Sequence, residues 1–414
     1  MKRTKRVLGL ALAAVMCMGM LAGCGGTKNA TNGTETSEKV LNIATIGETT
    51  TLSPLYMIAD NRPTQKLLYE GLVKYVDGEI QPVLAEDWKL SDDGTQLTFY
   101  LRKGVTFHDG EPFNAEAAIA NIESWHINPS FTSLPGVVNY TNIEAVDEYT
   151  IRLTYDTPYF AYINDFCWPD VCTMISPKQI TQGDFQTVNG YAGTGPYIYD
   201  EYVAGQYTTF VRNENYWGEA PAIQKITVKV IPDNQTRIMA LENEEIDLIF
   251  GKNMLDADAI SQYVDSDRFT VSLSDPTSTR HIVLNTTHDI LGDTAVRKAL
   301  QHATNRQAIS EGIFYGLEPA ADTLYSPTVP YCDVDLEPYA YDTEEAARLL
   351  DEAGWVMGSD GGRSKNGQKL ELDLLYNSDS VTEKTISEYL QSEYLKLGIS
   401  LNIHGEEEQS YRDN

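Results

Sequence analysis

Apolar and polar residues alternate in several short stretches of the chain, which is the pattern of a β-strand with one buried face. VLNIATIG, at Val40–Gly47, is a short apolar run that ends in glycine, and LTFYL, at Leu97–Leu101, places its three apolar residues on one face. ITVKVI, at Ile226–Ile231, alternates again, whereas IDLIFG, at Ile246–Gly251, is apolar enough for a buried strand. We predict four strands here, and the first begins the globular part of the chain.

Helical patterns lie between these strands. After LTFYL, a turn is predicted at Asp109–Gly110, and Asn114 is placed to cap a helix over AEAAIANIESW. A second helix is predicted over QTRIMALENEE, between the ITVKVI and IDLIFG strands. Strands and helices are therefore interleaved, which indicates the α/β class.

The last third of the chain repeats this order of elements. We predict a strand in HIVLNT (281–286) and a single helix over 294–314. The next helix, in DTEEAARLLDEAGW, is expected to begin with a capping box of Asp342 and Glu345 and to end at Gly354. ELDLLY, VTEKTISEYLQSEYLKLG and ISLNI then form a strand–helix–strand unit suited to a parallel sheet.

The N-terminus has the organisation of an export signal. MKRTKR is basic, VLGLALAAVMCMGM is apolar but too short to span a membrane stably, and small residues follow. LAGC, at Leu21–Cys24, resembles the bacterial lipobox, which implies a signal peptide over 1–23 and diacylglycerol on Cys24. An ordinary signal with an incidental cysteine is the alternative. Residues 24–39 are polar and rich in Gly, Thr and Asn, so we expect a flexible tether.

Length and charge restrict the function. A chain of 414 residues is long for a single hydrophobic core and suggests two or three lobes. The formal net charge of -29 argues against nucleic acid as a partner, because little positive charge is available to neutralise phosphates. High acidity raises the local concentration of small cations but does not name a ligand.

No motif of an enzyme or a metal centre is present. The chain lacks GxSxG, HExxH, GxxxxGKS/T and paired CxxC, and GTGP at Gly193–Pro196 is interpreted as a turn. The six histidines never recur at the i, i+4 spacing that would aim two imidazoles at one metal. HGEEE, at His404–Glu408, is expected to be a solvated loop. We therefore predict no catalytic residue and no bound metal, and the chain is not expected to be an enzyme.

Two cysteines remain ambiguous. Cys167 and Cys172 either form a local disulfide or remain small buried thiols, and their spacing does not decide between the two. Aromatic and amide residues are concentrated in FVRNENYWG, which we interpret as a positioned corner. Tyr216 and Trp217 are expected to bury their rings, while their polar tips, together with Asn213 and Asn215, satisfy turn backbone.

The same stretch carries a family resemblance. FVRNENYWGEAPAIQKITVKVIPD, with LAEDWKLSDDGTQLTFYLRKGVTFHDGEPFNAEAA, GTGPY and AVRKALQHATNRQAI, closely resembles family 5 of the extracytoplasmic solute-binding proteins, which serve ABC importers for peptides and nickel. The resemblance runs from about Val40 to the end. LYEGLVKY, the unbroken FVRNENYWGE, ADTLYSPTVPY and GEEE are most similar to the nickel-binding branch.

The resemblance implies a periplasmic-binding-protein fold of two lobes, with the ligand enclosed between them and an extra subdomain in the first lobe. The first lobe would consist of residues 40–84 and 193–279, the subdomain of 85–192, and the second lobe of 280–414. Because chains of this family continue beyond the equivalent of Asn414, the resemblance also implies that the second lobe is incomplete and that this end is a truncation.

Two departures leave the ligand open. The nickel branch uses a subdomain arginine to bind the carboxylates of a metal chelate, but the corresponding stretch, Trp168–Pro177, contains no arginine. The tryptophan that faces that arginine falls near Ser133 here. A nickel chelate, as cargo rather than cofactor, is the expected ligand, and a dipeptide or oligopeptide is the alternative.

The resemblance also implies ligand-binding residues and partners. Tyr56, Met57 and Arg62 align with an early ligand loop of the first lobe, and Arg280 and His281 lie near the strand that crosses between lobes. Arg62 would pair with a ligand carboxylate, and a surface arginine is the alternative reading of it. We expect a monomeric receptor, held at the extracytoplasmic side of the membrane by its lipid and working with ABC permease and ATPase subunits. A secreted enzyme would need a nucleophile or metal set, and an adhesin would show repeats.

Overall fold

The computed structural model describes residues 39–413 except 50, 57–61, 77, 169–170, 182, 184, 252–253, 277, 328 and 330–331. The predicted signal peptide, Cys24 and nearly all of the predicted tether lie outside the described residues. From Val40 onward the chain forms one compact unit.

Short strands predominate in the first half of this unit. The strands are β1 (Val40–Thr45), β2 (Val73–Val76), β3 (Glu79–Pro82), β4 (Ala85–Leu90), β5 (Gln96–Leu101), β6 (Tyr140–Asp147), β7 (Thr150–Tyr155), β8 (Tyr197–Val203), β9 (Tyr207–Arg212), β10 (Lys225–Val230), β11 (Leu248–Ile249), β12 (Val356–Met357), β13 (Arg363–Lys365), β14 (Gln368–Lys369), β15 (Glu371–Asn377) and β16 (Ser400–Glu406).

The α-helices of the described residues vary from four to 16 residues in length. They are α1 (Arg62–Leu68), α2 (Ala115–His126), α3 (Pro135–Val138), α4 (Tyr162–Phe166), α5 (Asn234–Glu242), α6 (Ala257–Ser261), α7 (Thr294–Ala303), α8 (Arg306–Ile313), α9 (Thr343–Glu352), α10 (Val381–Lys396) and α11 (Glu408–Asp413).

A five-stranded sheet has the order β11-β1-β10-β9-β8, in which β1 runs parallel to both β10 and β11. The strands predicted in VLNIATIG and ITVKVI are confirmed as β1 and β10. The buried strand predicted in IDLIFG is wrong, because β11 has only two residues at the sheet edge and Phe250 beyond it is 62% exposed. Its apolar anchor is Ile246, which is buried against Ala44 and Ala240 instead.

The four-stranded antiparallel sheet β4-β5-β7-β6 builds a second core. The inward face of β5, predicted from LTFYL, is almost completely buried at Leu97, Phe99 and Leu101. Helix α2 covers this face and begins as predicted, since the Asn114 side chain accepts a hydrogen bond from the N–H of Ala117 at 3.0 Å. Trp125 of α2 is fully buried in the same core.

The C-terminal core lies between helices and the parallel pair β15–β16. The predicted strand–helix–strand unit is confirmed, with α10 connecting the two strands. The strand predicted in HIVLNT is wrong. No strand pairs with 281–286 among the described residues, Val283 is 81% exposed, and Leu284 packs against the core.

The helix predicted over 294–314 is two helices. The Thr304 backbone is extended, and Asn305 caps α8 by accepting from the N–H of Ala308 at 2.9 Å, so the chain turns between α7 and α8. Asp342 caps α9 as predicted, but the capping box is half formed, because the Glu345 carboxylate binds Arg348 instead of returning to the Asp342 N–H.

Both cysteines of the ambiguous pair are buried free thiols. The Cys167 thiol donates to the Ile163 carbonyl oxygen and the Cys172 thiol to the Asp165 carbonyl oxygen, each at 3.4 Å. Burial raises the pKa of Cys167 to about 11 and raises that of Cys172 well above its usual value, so both are poor nucleophiles at neutral pH.

Candidate functional site

Tyr56, the first predicted ligand residue, is half-buried at the end of a tight turn. Its N–H donates to the Ser53 carbonyl oxygen at 3.3 Å. Leu55 beside it is fully buried, and its carbonyl oxygen accepts from Asn128 Nδ2 at 2.8 Å. The turn is therefore fixed against the second core. Met57 and the side chain of Arg62 lie outside the described residues, so their predicted roles stay untested.

Helix α1 is tied back to this turn. Gln65, buried in the helix, donates from Nε2 to the Ser53 carbonyl oxygen at 2.8 Å. The Ser53 hydroxyl donates to the Phe185 carbonyl oxygen, also at 2.8 Å. Ser53 thus connects Tyr56 with α1, the helix that begins at Arg62.

Arg280 is already paired within the protein. Its guanidinium donates to both carboxylate oxygens of Glu318, from Nε at 2.8 Å and from Nη2 at 3.1 Å, and it lies 5.1 Å above the Phe314 ring. This hydrogen bonding raises the pKa of Arg280. A ligand carboxylate at Arg280 would have to share or displace Glu318, a residue that sequence reasoning did not identify.

His281 is exposed, and its Nδ1 lies 3.1 Å from the Thr279 carbonyl oxygen. No hydrogen bond or ring contact joins Tyr56 to Arg280 or His281 among the described residues. The structure therefore brings Tyr56 and α1 together through Ser53, and it groups Arg280 with Glu318 and Phe314 in a separate cluster.

The GTGP turn is held by an unusually dense set of contacts. His108 lies between Gly193 and Gly195: its Nδ1 accepts from the Gly193 N–H at 3.2 Å, and its Nε2 lies 3.0 Å from the Gly195 carbonyl oxygen. Burial lowers the pKa of His108, which keeps the imidazole neutral. A Cβ on either glycine would collide with the Leu68 backbone, so the turn needs glycine to approach α1.

A polar cluster around Glu70 follows α1. Glu70 Oε1 accepts from the Tyr216 hydroxyl at 2.7 Å, and Oε2 accepts from Trp217 Nε1 at 2.7 Å and from the Thr194 hydroxyl at 2.9 Å. The corner prediction was right for Asn213, whose side chain binds the backbone of Gly195. It was wrong for the polar tips of Tyr216 and Trp217, which bind this carboxylate instead of turn backbone.

Sequence reasoning missed Glu70, although a signal for it exists. In LYEGL the acidic residue has apolar neighbours on both sides, and a carboxylate carried into a packed region must find donors. The identity of those donors could not be read from the sequence, since Thr194 and Trp217 are more than a hundred residues away.

No group of three or more His, Cys, Asp or Glu side chains in the described part of the chain could hold a metal ion. The loop predicted in HGEEE is wrong, because pairing with β15 extends β16 to Glu406 and α11 begins at Glu408. His404 is exposed on β16, with its Nε2 3.0 Å from Asp373 Oδ1. Within residues 39–413, as far as they are described, no helix is long and apolar enough to cross a membrane.

Comparison with known proteins identifies the family. The model of the middle part of the bacterial extracellular solute-binding proteins, family 5, matches residues 79–414. The nickel-binding periplasmic protein of Escherichia coli K12 is 37% identical over 367 residues, which cover 87% of this chain and 70% of that protein. A glutathione-binding protein of Pectobacterium atrosepticum is 29% identical over 372 residues, covering 87% and 68%.

A solved structure agrees with these relatives. NikA from Brucella suis, in complex with Fe(III)-EDTA, superposes with a TM-score of 0.85 at 36% identity, covering 90% of this chain and 76% of that one. The predicted two-lobed α/β class is thereby confirmed, whereas the residue boundaries of the lobes and subdomain stay a prediction. The chain is a substrate-binding protein of the ABC-transporter type, and it belongs to family 5 of the bacterial extracellular solute-binding proteins.

Proposed function

We propose that this protein captures a nickel chelate between its two lobes and delivers it to an ABC permease. The observation that carries the proposal is the likeness to NikA, whose structure holds a metal chelate, at 36% identity and a TM-score of 0.85. The nickel-binding relative from E. coli supports the same cargo. Since the described residues offer no cluster of metal ligands, nickel would arrive with ligands of its own.

Tyr56, Met57 and Arg62 are the proposed first-lobe contacts, with Arg62 pairing a chelate carboxylate. Arg280 and His281 are the proposed contacts from the segment that leads into the second lobe. Because Arg280 is bonded to Glu318, a ligand carboxylate must compete with Glu318 for it. A ligand that contacts both lobes stabilises the closed form and shifts the protein toward it. No bond is made or broken in this capture.

A short peptide is the second candidate. The glutathione-binding relative binds a tripeptide, and the stretch Trp168–Pro177 lacks the arginine that a polycarboxylate chelate would use. A peptide carries one terminal carboxylate and one ammonium, so it needs less positive charge from the site than a polycarboxylate chelate does.

We also propose that the mature protein begins at an acylated Cys24 and stays at the extracytoplasmic face of the membrane, where permease and ATPase subunits complete the importer. The support is the order of segments in the first 24 residues, in which a basic segment is followed by an apolar segment and then by small residues. The family to which the chain belongs is extracellular, which agrees with export.

Calorimetry decides between the two cargoes. Wild-type protein is titrated with nickel alone, nickel with L-histidine, nickel with citrate, and a mixed dipeptide pool. We expect tight binding of a nickel complex, weak binding of bare nickel, and a loss of about tenfold or more in Arg62→Ala. Arg297→Ala is the matched control, because that arginine binds backbone carbonyls within the C-terminal core. If only the dipeptides release heat on binding, the cargo is a peptide and not a nickel chelate.

A further inference from the structure

The corner FVRNENYWG and Glu70 are joined by hydrogen bonds, and none of the residues involved is among the proposed ligand contacts. We call Glu70, Thr194, Tyr216 and Trp217 the Glu70 joint. Its three donors reach the carboxylate at 2.7 Å, 2.7 Å and 2.9 Å, from two chain segments distant from Glu70 in sequence. All three distances are those of good charge-assisted hydrogen bonds.

The charge at the centre of the joint is held by neutral donors. No salt bridge to Glu70 occurs among the described residues, and the nearby Lys74 acts on it only at longer range. Burial raises the pKa of Glu70, while the bonds from Trp217, Tyr216 and Thr194 act in the opposite direction. Removing a carboxylate from water costs free energy, so a partly buried carboxylate adds little net stability. Three directed hydrogen-bond donors, in contrast, specify a single arrangement of the segments that carry them. This balance favours orientation as the role of the joint.

The joint connects the five-stranded and the four-stranded sheets. Thr194 lies in the GTGP turn that leads into β8, and Tyr216 follows β9, so both lie in segments that flank strands of the five-stranded sheet. Trp217 packs against the core of the four-stranded sheet, and the Arg102 guanidinium, just beyond β5, lies 4.3 Å above its ring. Trp217 is thus bonded to Glu70 on one side and to the second core on the other.

The backbone of Glu70 extends the joint toward the ligand side. Its carbonyl oxygen accepts from the Met174 N–H at 2.9 Å, and Gly71 forms an isolated bridge with Thr173. Glu70 and Gly71 therefore hold Met174 and Thr173, which lie in the stretch that the family resemblance places beside the ligand. Glu70 lies two residues after the end of α1, the helix that begins at Arg62, so the joint also constrains this helix.

We infer that Glu70 is a positioning residue for ligand capture: its carboxylate orients the four-stranded sheet and the α1 helix so that the ligand-side segments face each other correctly. The part that concerns ligand affinity rests on the proposed function, whereas the orientation of the two sheets does not. Glu70 touches no ligand in this scheme and acts through α1 and the 168–177 stretch.

The first test observes the joint without any ligand. The chain has five tryptophans, and the indole N–H of Trp217 can be assigned in a ¹⁵N-labelled sample by its absence in Trp217→Phe. We expect a downfield, slowly exchanging signal that moves as Glu70 is protonated. In Glu70→Gln the signal should shift and lose its pH dependence. The charged or titratable groups around the joint are Tyr216, Lys74, Arg102 and, through Gly193 and Gly195, His108; only the response of the Glu70 carboxylate is removed in Glu70→Gln.

The second test measures affinity, with nickel plus L-histidine and then dipeptides as probes, at a temperature where every variant is folded. Thr194→Val removes one donor, and we expect about tenfold weaker binding, while Thr194→Ser keeps the hydroxyl and should restore it. Glu70→Gln should lose more. Glu219→Gln is the matched control, since this exposed carboxylate lies two residues after Trp217 and should change nothing.

The outcomes separate the two proposals. If no probe binds wild-type protein, the proposed cargo fails, and the indole signal still decides whether the joint exists. If Glu70→Gln does not fold, Thr194→Val and Thr194→Ser carry the test. An indole signal unchanged in Glu70→Gln, or wild-type affinity in Thr194→Val, would overturn the inference. A loss in Thr194→Val that serine does not restore would reduce Glu70 to a structural role.

Discussion

Replacing Asn121 with alanine tests how Ile175 is held, in the stretch that we propose faces the ligand. The Asn121 side chain is fully buried in α2 and binds both backbone groups of Ile175: Nδ2 donates to the carbonyl oxygen, and Oδ1 accepts from the N–H, each at 2.9 Å. Alanine removes both bonds. Because Ile175 is itself fully buried, water cannot easily replace them.

The expected loss follows from these two groups. A buried polar group left without a partner costs about 1–3 kcal/mol, so two of them cost about 2–6 kcal/mol. The third bond of Asn121, from Nδ2 to the Ala117 carbonyl oxygen, adds little, because that carbonyl oxygen keeps its intrahelical bond. Partial relaxation of the stretch lowers the total, and we expect the free energy of unfolding to fall by about 3 kcal/mol.

Urea denaturation, followed by tryptophan fluorescence, measures this loss, and Trp125 reports from the same core one turn along α2. Asn142→Ala on β6 is the control, because that asparagine is exposed. We also expect weaker ligand binding in Asn121→Ala, since the 168–177 stretch loses its anchor. A loss below about 1 kcal/mol, or one equal to that of the control, would show that Ile175 is held by other contacts.

Three further predictions concern charge and anchoring. Glu318→Gln should free Arg280 and strengthen binding of a carboxylate-bearing chelate by about two- to fivefold in calorimetry, since a half-exposed ion pair is worth at most about 1 kcal/mol; unchanged affinity would remove Arg280 from the site. Cys24→Ser should abolish palmitate labelling and release the protein from the membrane fraction, and equal labelling of the variant would disprove acylation. Burial raises the pKa of Glu70 above 4.5, so the native state binds this proton more tightly than the unfolded chain. Wild-type protein should therefore gain stability relative to Glu70→Gln as the pH falls through that raised pKa, and urea midpoints that stay parallel would contradict it.

Local patterns predicted the elements whose own residues determine them. The alternation in β5 and the Asn114 and Asp342 caps need only neighbours in sequence, and the two strands of the β15–α10–β16 unit are consecutive strands joined by one helix. All of them are present in the structure. The strand predicted in HIVLNT is wrong because its formation depends on residues that are distant in sequence. An apolar alternation predicts a strand only if a second strand pairs with it, and pairing is a long-range property that a single stretch does not contain.

The site was predicted less well for the same physical reason. The rings of Tyr216 and Trp217 were expected to be buried, but the residue that receives their donors lies about 150 positions earlier in the chain. Arg280 was recognised as a charge near the crossing segment, whereas its pairing with Glu318 depends on how the chain turns after α8. Hydrogen-bond partners across such distances follow from the fold and not from local spacing.

Three polar side chains of the described residues already have hydrogen-bond partners within the protein. Arg280 is bonded to Glu318, Glu70 to three donors, and His108 to the GTGP turn. A ligand at such a surface gains free energy only where its contacts exceed those that it replaces. The proposed chelate cargo suits these terms, because its own donors would hold the metal and the protein would supply shape, aromatic walls and one exchangeable charge. Under this proposal, differential contact in the closed form, and not a preformed set of metal ligands, would make capture selective.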